Sequence, residues 1–400
     1  TTTQGLAWTA PMPGPAASTP VIWEDRVFLT SVDEASQDLL ALCLDAATGL
    51  EQWRLSAGKN RKLPGGNTMA SPCAVTDGRT VWFHFGNGAL IACDFRGKQL
   101  WARDIEKDYG PLVIKFGYSC TPLLYEGRLY LPILRNKDAQ AYVPKTQRQP
   151  QSGPPLDSFL LALDATSGKT LWRQNRPTDA TGESTEGYQT PLPLEAAGSK
   201  QIILAGGECV TGNDAQSGAE LWRWWFTPPD RQVWQHIVNC PVISGDVIYV
   251  TRPKHRPLFA LRAPNLTAPN SDAASSATVL WEYRKNTAEC ATPLLYDGRL
   301  YVLEDIKRVM ACLDPKTGAP LWESKLPGAG PMYASPTGAD GKIYAISQKG
   351  DVVVLAAGDA YKELAVIPMG EGPCNSSIAI AGKRLYIRTA RSLHCVANPR

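Results

Sequence analysis

Four histidines, ten cysteines and 38 acidic residues in a chain of 400 set the first limits on chemistry. Structural zinc calls for closely spaced Cys and His ligands. Here Cys43, Cys73, Cys93, Cys120, Cys209, Cys240, Cys290, Cys312, Cys374 and Cys395 form no Cys-x-x-Cys and no adjacent pair. Cys43, Cys93, Cys312 and Cys395 recur in short apolar runs (ALCLD, IACDF, MACLD, LHCVA) and read as small buried hydrophobes. No metal site is expected. Acyl transfer needs a nucleophile beside its base, and His236 has no recognisable partner of that kind. Glycoside hydrolysis needs two carboxylates at a defined separation. Glu289 could supply one, and the sequence places no second. The catalytic residues are therefore unknown at this level, and the chain leans away from being an enzyme.

What remains is binding chemistry. Mixed aromatic and polar residues fall in the segments between apolar runs: Lys115, Tyr118, Tyr188, His236, Asn239, Glu289, Tyr333 and Asn375. The stretch LWRWWFTPPDRQVWQH adds Trp224, Trp225 and Trp234, an aromatic platform of the kind that takes sugars or peptides. Strand alternation puts Trp222 and Trp224 on one face and Trp225 on the other.

The elements that carry these residues are repeats. An Asp-turn-Gly-x-x-x-Trp phrase appears as Asp45/Gly49/Trp53, Asp164/Gly168/Trp172, Asp214/Gly218/Trp222 and Asp314/Gly318/Trp322, with a shorter copy at Asp94/Gly97/Trp101. Trp281 closes a copy whose turn is replaced by a long segment, and VLAAGDAYKELAVIP lacks the Trp. Before each copy stands a short strand, a polar turn and a second strand. The second strands are DRVFLT, GRTVWFH, GRLYLPI, SKQIILA, GDVIYVT, GRLYVLE, GKIYAIS and KRLYIRT. Short period-two runs bounded by Gly/Asp turns are strands of antiparallel sheets. Units of this length cannot bury both faces alone, and radial packing of such sheets is a β-propeller.

The sequence thus predicts an all-β fold: one eight-bladed β-propeller of four-stranded antiparallel blades spanning 1–400. The last unit ends at SLHCVANPR without a Leu-Trp strand. Segment 5–10, with Trp8, is expected to complete it and close the ring. Trp8, Trp53, Trp101, Trp172, Trp222, Trp281 and Trp322 are assigned to interblade packing. Thr19, Ser71, Thr121, Thr190, Cys240, Thr292, Ser335 and Ser376, before the first strands, suit the crowded inner edge. The candidate binding residues should then ring a funnel on the face of the blade connections. Insertion 135–158 is polar and loop-like and belongs to that face; insertion 262–278 belongs to the other.

The A-x-D-x-x-x-G-x-x-x-W repeat resembles that of the pyrroloquinoline-quinone (PQQ) β-propeller superfamily. It includes eight-bladed quinoprotein alcohol dehydrogenases and BamB, a cofactor-free lipoprotein of outer-membrane protein assembly. In the dehydrogenases the quinone stacks between a Trp and an adjacent-Cys disulfide, next to Ca²⁺. The resemblance implies an extracytoplasmic, periplasmic location, with a leader removed before the TTTQGLAW start. With no Cys-Cys pair and no carboxylate set to match the Ca²⁺ ligands, no cofactor is expected, and PQQ with Ca²⁺ belongs to an alternative reading. The expected role is a non-catalytic binding or scaffold propeller whose funnel takes a protein, a small molecule or a saccharide. The alternatives are a PQQ-dependent dehydrogenase and a carbohydrate-binding or carbohydrate-acting propeller. A formal charge of +3 without a dense Lys/Arg run excludes nucleic acid as a partner. No apolar stretch of about 18 residues occurs, so no transmembrane segment is expected, and the chain is expected to be a monomer.

Overall fold

The repeated phrases fold into eight four-stranded antiparallel sheets. The computed structural model describes residues 5–149, 153–196, 198–226, 232–254, 256–266 and 276–397. Blade one consists of Val21–Trp23, Arg26–Val32, Asp38–Asp45 and Glu51–Lys59, running from the axis outward. Blades two to seven repeat this order over 75–104, 123–175, 192–225, 242–283, 294–325 and 337–368. Blade eight takes Ala379–Ala381, Arg384–Arg388 and Ser392–Ala397 from one end of the chain and Leu6–Pro11 from the other. The outer strand of the last blade is therefore the first strand of the chain, as expected. Every described α-helix is short, and none is long and apolar enough to cross a membrane.

The core lies between blades. Each second and third strand is buried almost throughout, while outer strands alternate. The repeat's Trp and Gly turn out to be two halves of one contact. Trp53, Trp101, Trp172 and Trp281 lie on Gly97, Gly168, Gly218 and Gly318 of the following blade, and Trp8 lies on Gly49 of blade one. A Cβ on Gly168 would stand 2.7 Å from Trp101 Cε3, so that glycine is required by packing as well as by its φ of +69°. The indole N–H groups of Trp8, Trp53, Trp101, Trp281 and Trp322 donate to the next blade's turn carbonyls at 2.9–3.1 Å. Trp222 instead donates to Gln201 within its own blade. In blade seven Ala365 takes the Trp position, opposite Val354, and Tyr361, where other copies have the turn Gly, stands edge-on to Trp322 of blade six.

Around the axis run seven directional links, which among the described residues join each neighbouring pair of blades except three and four. The backbone N–H of one blade's first-strand residue donates to the side chain of the next: Thr19 to Cys73, Cys73 to Thr121, Thr190 to Cys240, Cys240 to Thr292, Thr292 to Ser335, Ser335 to Ser377, and Ser377 back to Thr19. Two members differ from expectation. Ser71 instead bonds Thr68 and Ser376 bonds Ser18, so Cys73 and Ser377 hold the ring positions.

Candidate functional site

Antiparallel order sends the blade connections and the second-to-third loops to one face, and the Asp-Gly turns to the other. On the connection face, the links after blades three and four are tied together by an isolated parallel bridge, Gly187 to Ile237. The Ser184 hydroxyl reinforces the tie, donating to the Gln232 carbonyl at 2.6 Å and accepting from Gln235 N–H at 2.9 Å. That knot brings Glu183, Glu186 and Tyr188 beside His236.

His236 is buried, with its ring centroid 5.4 Å from Tyr188 and 5.6 Å from Phe116. Its Nδ1 lies 3.4 Å from Glu183 Oε2, and Lys115 Nζ lies 2.6 Å from Glu183 Oε1. Burial first, and then Lys254, push the imidazole down to about 4 against the opposing pull of Glu183 and Glu289. It is a neutral ring at physiological pH. Lys254 pairs with Glu289 on the next connection.

Glu186 is the deepest carboxylate of the cluster and is fully buried. It accepts from Lys115 N–H at 3.0 Å, Tyr188 O–H at 3.1 Å, Asn136 Nδ2 at 3.3 Å, and from the Tyr142 hydroxyl. Burial raises its pKa, while these bonds oppose the rise. Tyr142 and Asn136 belong to the 135–158 insertion, whose described part is folded onto the funnel rather than projecting as a polar loop. Arg135 anchors its base, donating to the carbonyls of Gly110, Pro111 and Asp157.

The structure brings Lys115, Tyr188, His236 and Glu289 into one cluster, and Asn239 borders it by donating to the Glu289 carbonyl at 3.1 Å. Tyr118 falls elsewhere: it is buried in the core, edge-on to His84, with its hydroxyl on the Pro132 carbonyl. Tyr333 is half-buried near Glu289, and Asn375 is exposed and accepts from Gln348. The aromatic platform divides. Trp224 packs on Phe226 and Phe259, whereas Trp225 and Trp234 are exposed and Arg223 sits 5.0 Å over the Trp225 ring. Residues 227–231 of that stretch lie outside the described residues, as do 267–275 of the second insertion. Sequence reasoning passed over Glu183, Glu186 and Tyr142. Their one available signal was two acids three apart on a Gly-led turn just before an inner strand.

The chain matches the family described as outer membrane protein assembly factor BamB over residues 1–111, 122–267, 206–356 and 272–392. It belongs to this family of PQQ-like propellers. Among solved structures, BamB from Moraxella catarrhalis superposes with a TM-score of 0.64 at 13% identity, covering 97% of this chain and 96% of that one. A quinohemoprotein alcohol dehydrogenase from Pseudomonas putida gives the same TM-score and identity, covering 99% of this chain and 76% of that one. At such identity the likeness is one of fold. A curated relative, the polyvinylalcohol dehydrogenase of Sphingopyxis sp. (strain 113P3), is 26% identical over 363 residues, 85% of this chain. The chain spans about half the length of that relative, 49%.

The dehydrogenase branch of the PQQ-like family implies a quinone beside calcium, and the funnel can be tested for that fit. Calcium takes about six to eight oxygen ligands. Among the described residues no three His, Cys, Asp or Glu side chains gather as a metal set. Glu186 has its oxygens occupied by tyrosines, an amide and a backbone N–H, and Glu183 and Glu289 are each paired with a lysine. All ten cysteines are free thiols, so no adjacent-Cys disulfide is present. This donor set does not fit the group.

Proposed function

We propose that this PQQ-like propeller is an extracytoplasmic binding scaffold whose connection face, rather than a redox centre, does the recognition. The observation carrying this reading is the pairing of the funnel's charges: Lys115 with Glu183, Lys254 with Glu289, and Glu186 with Tyr142 and Tyr188. A surface of matched, half-exposed ion pairs around a neutral imidazole offers hydrogen bonds of both polarities, which suits a polar polypeptide segment. Membership of a family described by BamB supports the same reading, and a periplasmic location follows from it as part of the proposal.

The second reading rests on the polyvinylalcohol dehydrogenase relative: a propeller that serves a quinone-dependent oxidation of a polyhydroxylated chain. Thermal unfolding with PQQ plus Ca²⁺ separates the two. Native-state binding at 100 times Kd adds about 2.7 kcal/mol of stability. For a chain of this size that is a rise of about 3 °C. The scaffold reading expects the same Tm as with Ca²⁺ alone, and no dye reduction with polyvinyl alcohol. A PQQ-specific rise together with dye reduction replaces it with the dehydrogenase.

A further inference from the structure

On the opposite face, a groove of about 490 Å³ opens between blades five and six. The position that opens the second strand differs there from its arginine-bearing copies. The residue that opens the second strand is arginine in four blades: Arg26, Arg128, Arg299 and Arg384. Three of these cross to the next blade's outer turn. Arg128 donates to the Ala215 carbonyl at 2.8 Å, Arg384 to the Ala46 carbonyl at 2.8 Å, and Arg299 to Asp359 at 2.6 Å. In blade five the position is Val247, opposite Ser244, and no side chain from it spans the gap. A second groove, about 400 Å³ between blades eight and one, has Arg384 in its wall.

We propose that the Val247 groove is a binding site for a small carboxylic acid with an apolar body. Val247, Leu280 and Leu295 supply the apolar wall, and Leu280 is 37% exposed. Tyr249 and Tyr296 have their hydroxyls committed to the frame, on the Pro315 carbonyl and the Gly341 N–H. Two cations, Arg262 and Lys316, line the groove against one carboxylate, Asp297, which Arg299 already holds at 3.3 Å. Arg262 leans on Asp246 through Nε at 3.2 Å, which leaves its terminal nitrogens for a ligand. Lys316 forms no ion pair with a described residue. The Pro315 carbonyl has both lone pairs taken, by Tyr249 and by Trp281 Nε1, so the groove does not favour a cationic guest. Its volume falls in the range of small-molecule clefts, and the groove is open to solvent along its outer side.

The site is independent of the funnel, and its test does not touch the reading above. Octanoate, kept below its micellar range, is titrated calorimetrically into the whole chain beside octan-1-ol and octylamine. The expected result is one site per chain for octanoate, with the alcohol and the amine at least tenfold weaker. V247W fills the apolar wall without adding charge and should weaken octanoate at least tenfold; full binding by it also overturns the proposal. R262A/K316A tests the charge without touching the wall and should bring octanoate down to the alcohol. Equal binding of alcohol or amine, full binding by R262A/K316A, or no binding at millimolar octanoate overturns the proposal.

Discussion

At the scale of single residues, the side chain with the most to lose from a change of pH is His84. It is fully buried, both ring nitrogens lack a hydrogen-bond partner among the described residues, and its one close ring neighbour is Tyr118 at 4.7 Å. Burial pushes it down to about 3. In the unfolded chain the same ring takes a proton near its ordinary value of about 6.5. Below that pH the unfolded state therefore binds more protons, and stability falls as pH falls, down to the folded value. By pH 5 the loss from this one residue is about 2 kcal/mol. His236 adds to it over the window from 6.5 to about 4, whereas the raised pKa of Glu186 acts in the opposite sense, its cost growing as pH rises. Urea unfolding of wild type and His84→Phe at pH 7 and pH 5 reads the difference. The variant should lose about 2 kcal/mol less between the two pH values, and an equal loss would show that the ring is hydrated.

At the scale of the element, the phrase that reads Asp, turn, Gly, Trp was legible because it recurs. The use of its glycine was not, because the Trp that lies on each Gly belongs to the preceding copy. Gly168 and Gly127 separate the two demands, having φ of +69° and +71° with Trp101 against the first and nothing within 4 Å of the second. Replacing each by alanine should cost about 1 kcal/mol at Gly127 and about 1–3 kcal/mol more at Gly168. Equal costs in denaturant unfolding would remove the Trp contact from the account. The axial ring makes a similar point about register. In six blades the ring residue directly precedes a proline, as at Thr19, Thr121, Thr190, Cys240, Thr292 and Ser335. In blade two the proline, Pro72, precedes the ring residue instead of following it and in blade eight it is missing, so the pattern pointed to Ser71 and Ser376 while Cys73 and Ser377 do the work. Thr292→Val removes the acceptor of the Cys240 N–H and should cost about 1–3 kcal/mol. Cys240→Thr restores the commoner ring residue and should leave Tm within a degree or so, which calorimetry on the two variants checks. The funnel was less legible for the same reason inverted. Its connections do not repeat, and the partners of Lys115, Glu186 and His236 come from four separate segments that only the folded chain brings together.

At the scale of the whole molecule, the ring closes inside blade eight, where Leu6–Pro11 pairs with Ser392–Ala397, and the interface between blades eight and one lies beside that closing strand. Two devices hold that interface. Trp8, on the strand borrowed from the other end of the chain, lies on Gly49 and donates to the Ala46 carbonyl at 3.1 Å. Arg388, fully buried in blade eight, reaches into blade one and donates to the Ser18 hydroxyl at 2.9 Å, the Thr30 carbonyl at 2.6 Å and the Ser31 hydroxyl at 3.2 Å. None of these partners carries a charge, and burial lowers the guanidinium to about 10. The ion is thus held by dipoles of the neighbouring blade, and removing it leaves several of them unpaired. Loss of either device strains the same interface, so their effects should not add. Arg388→Met and Trp8→Ala should each cost about 3 kcal/mol or more. The double variant should depart from their sum by about 0.5–3 kcal/mol, the range for residues that share an interface. Trp281→Ala sits at the joint between blades five and six, across the ring, and should add to Arg388→Met within about 0.5 kcal/mol. Denaturant unfolding of the five variants decides it: additivity at both joints would mean that each joint is the sum of its local contacts, and coupling at the eight–one joint alone would set the interface beside the closing strand apart from an ordinary one.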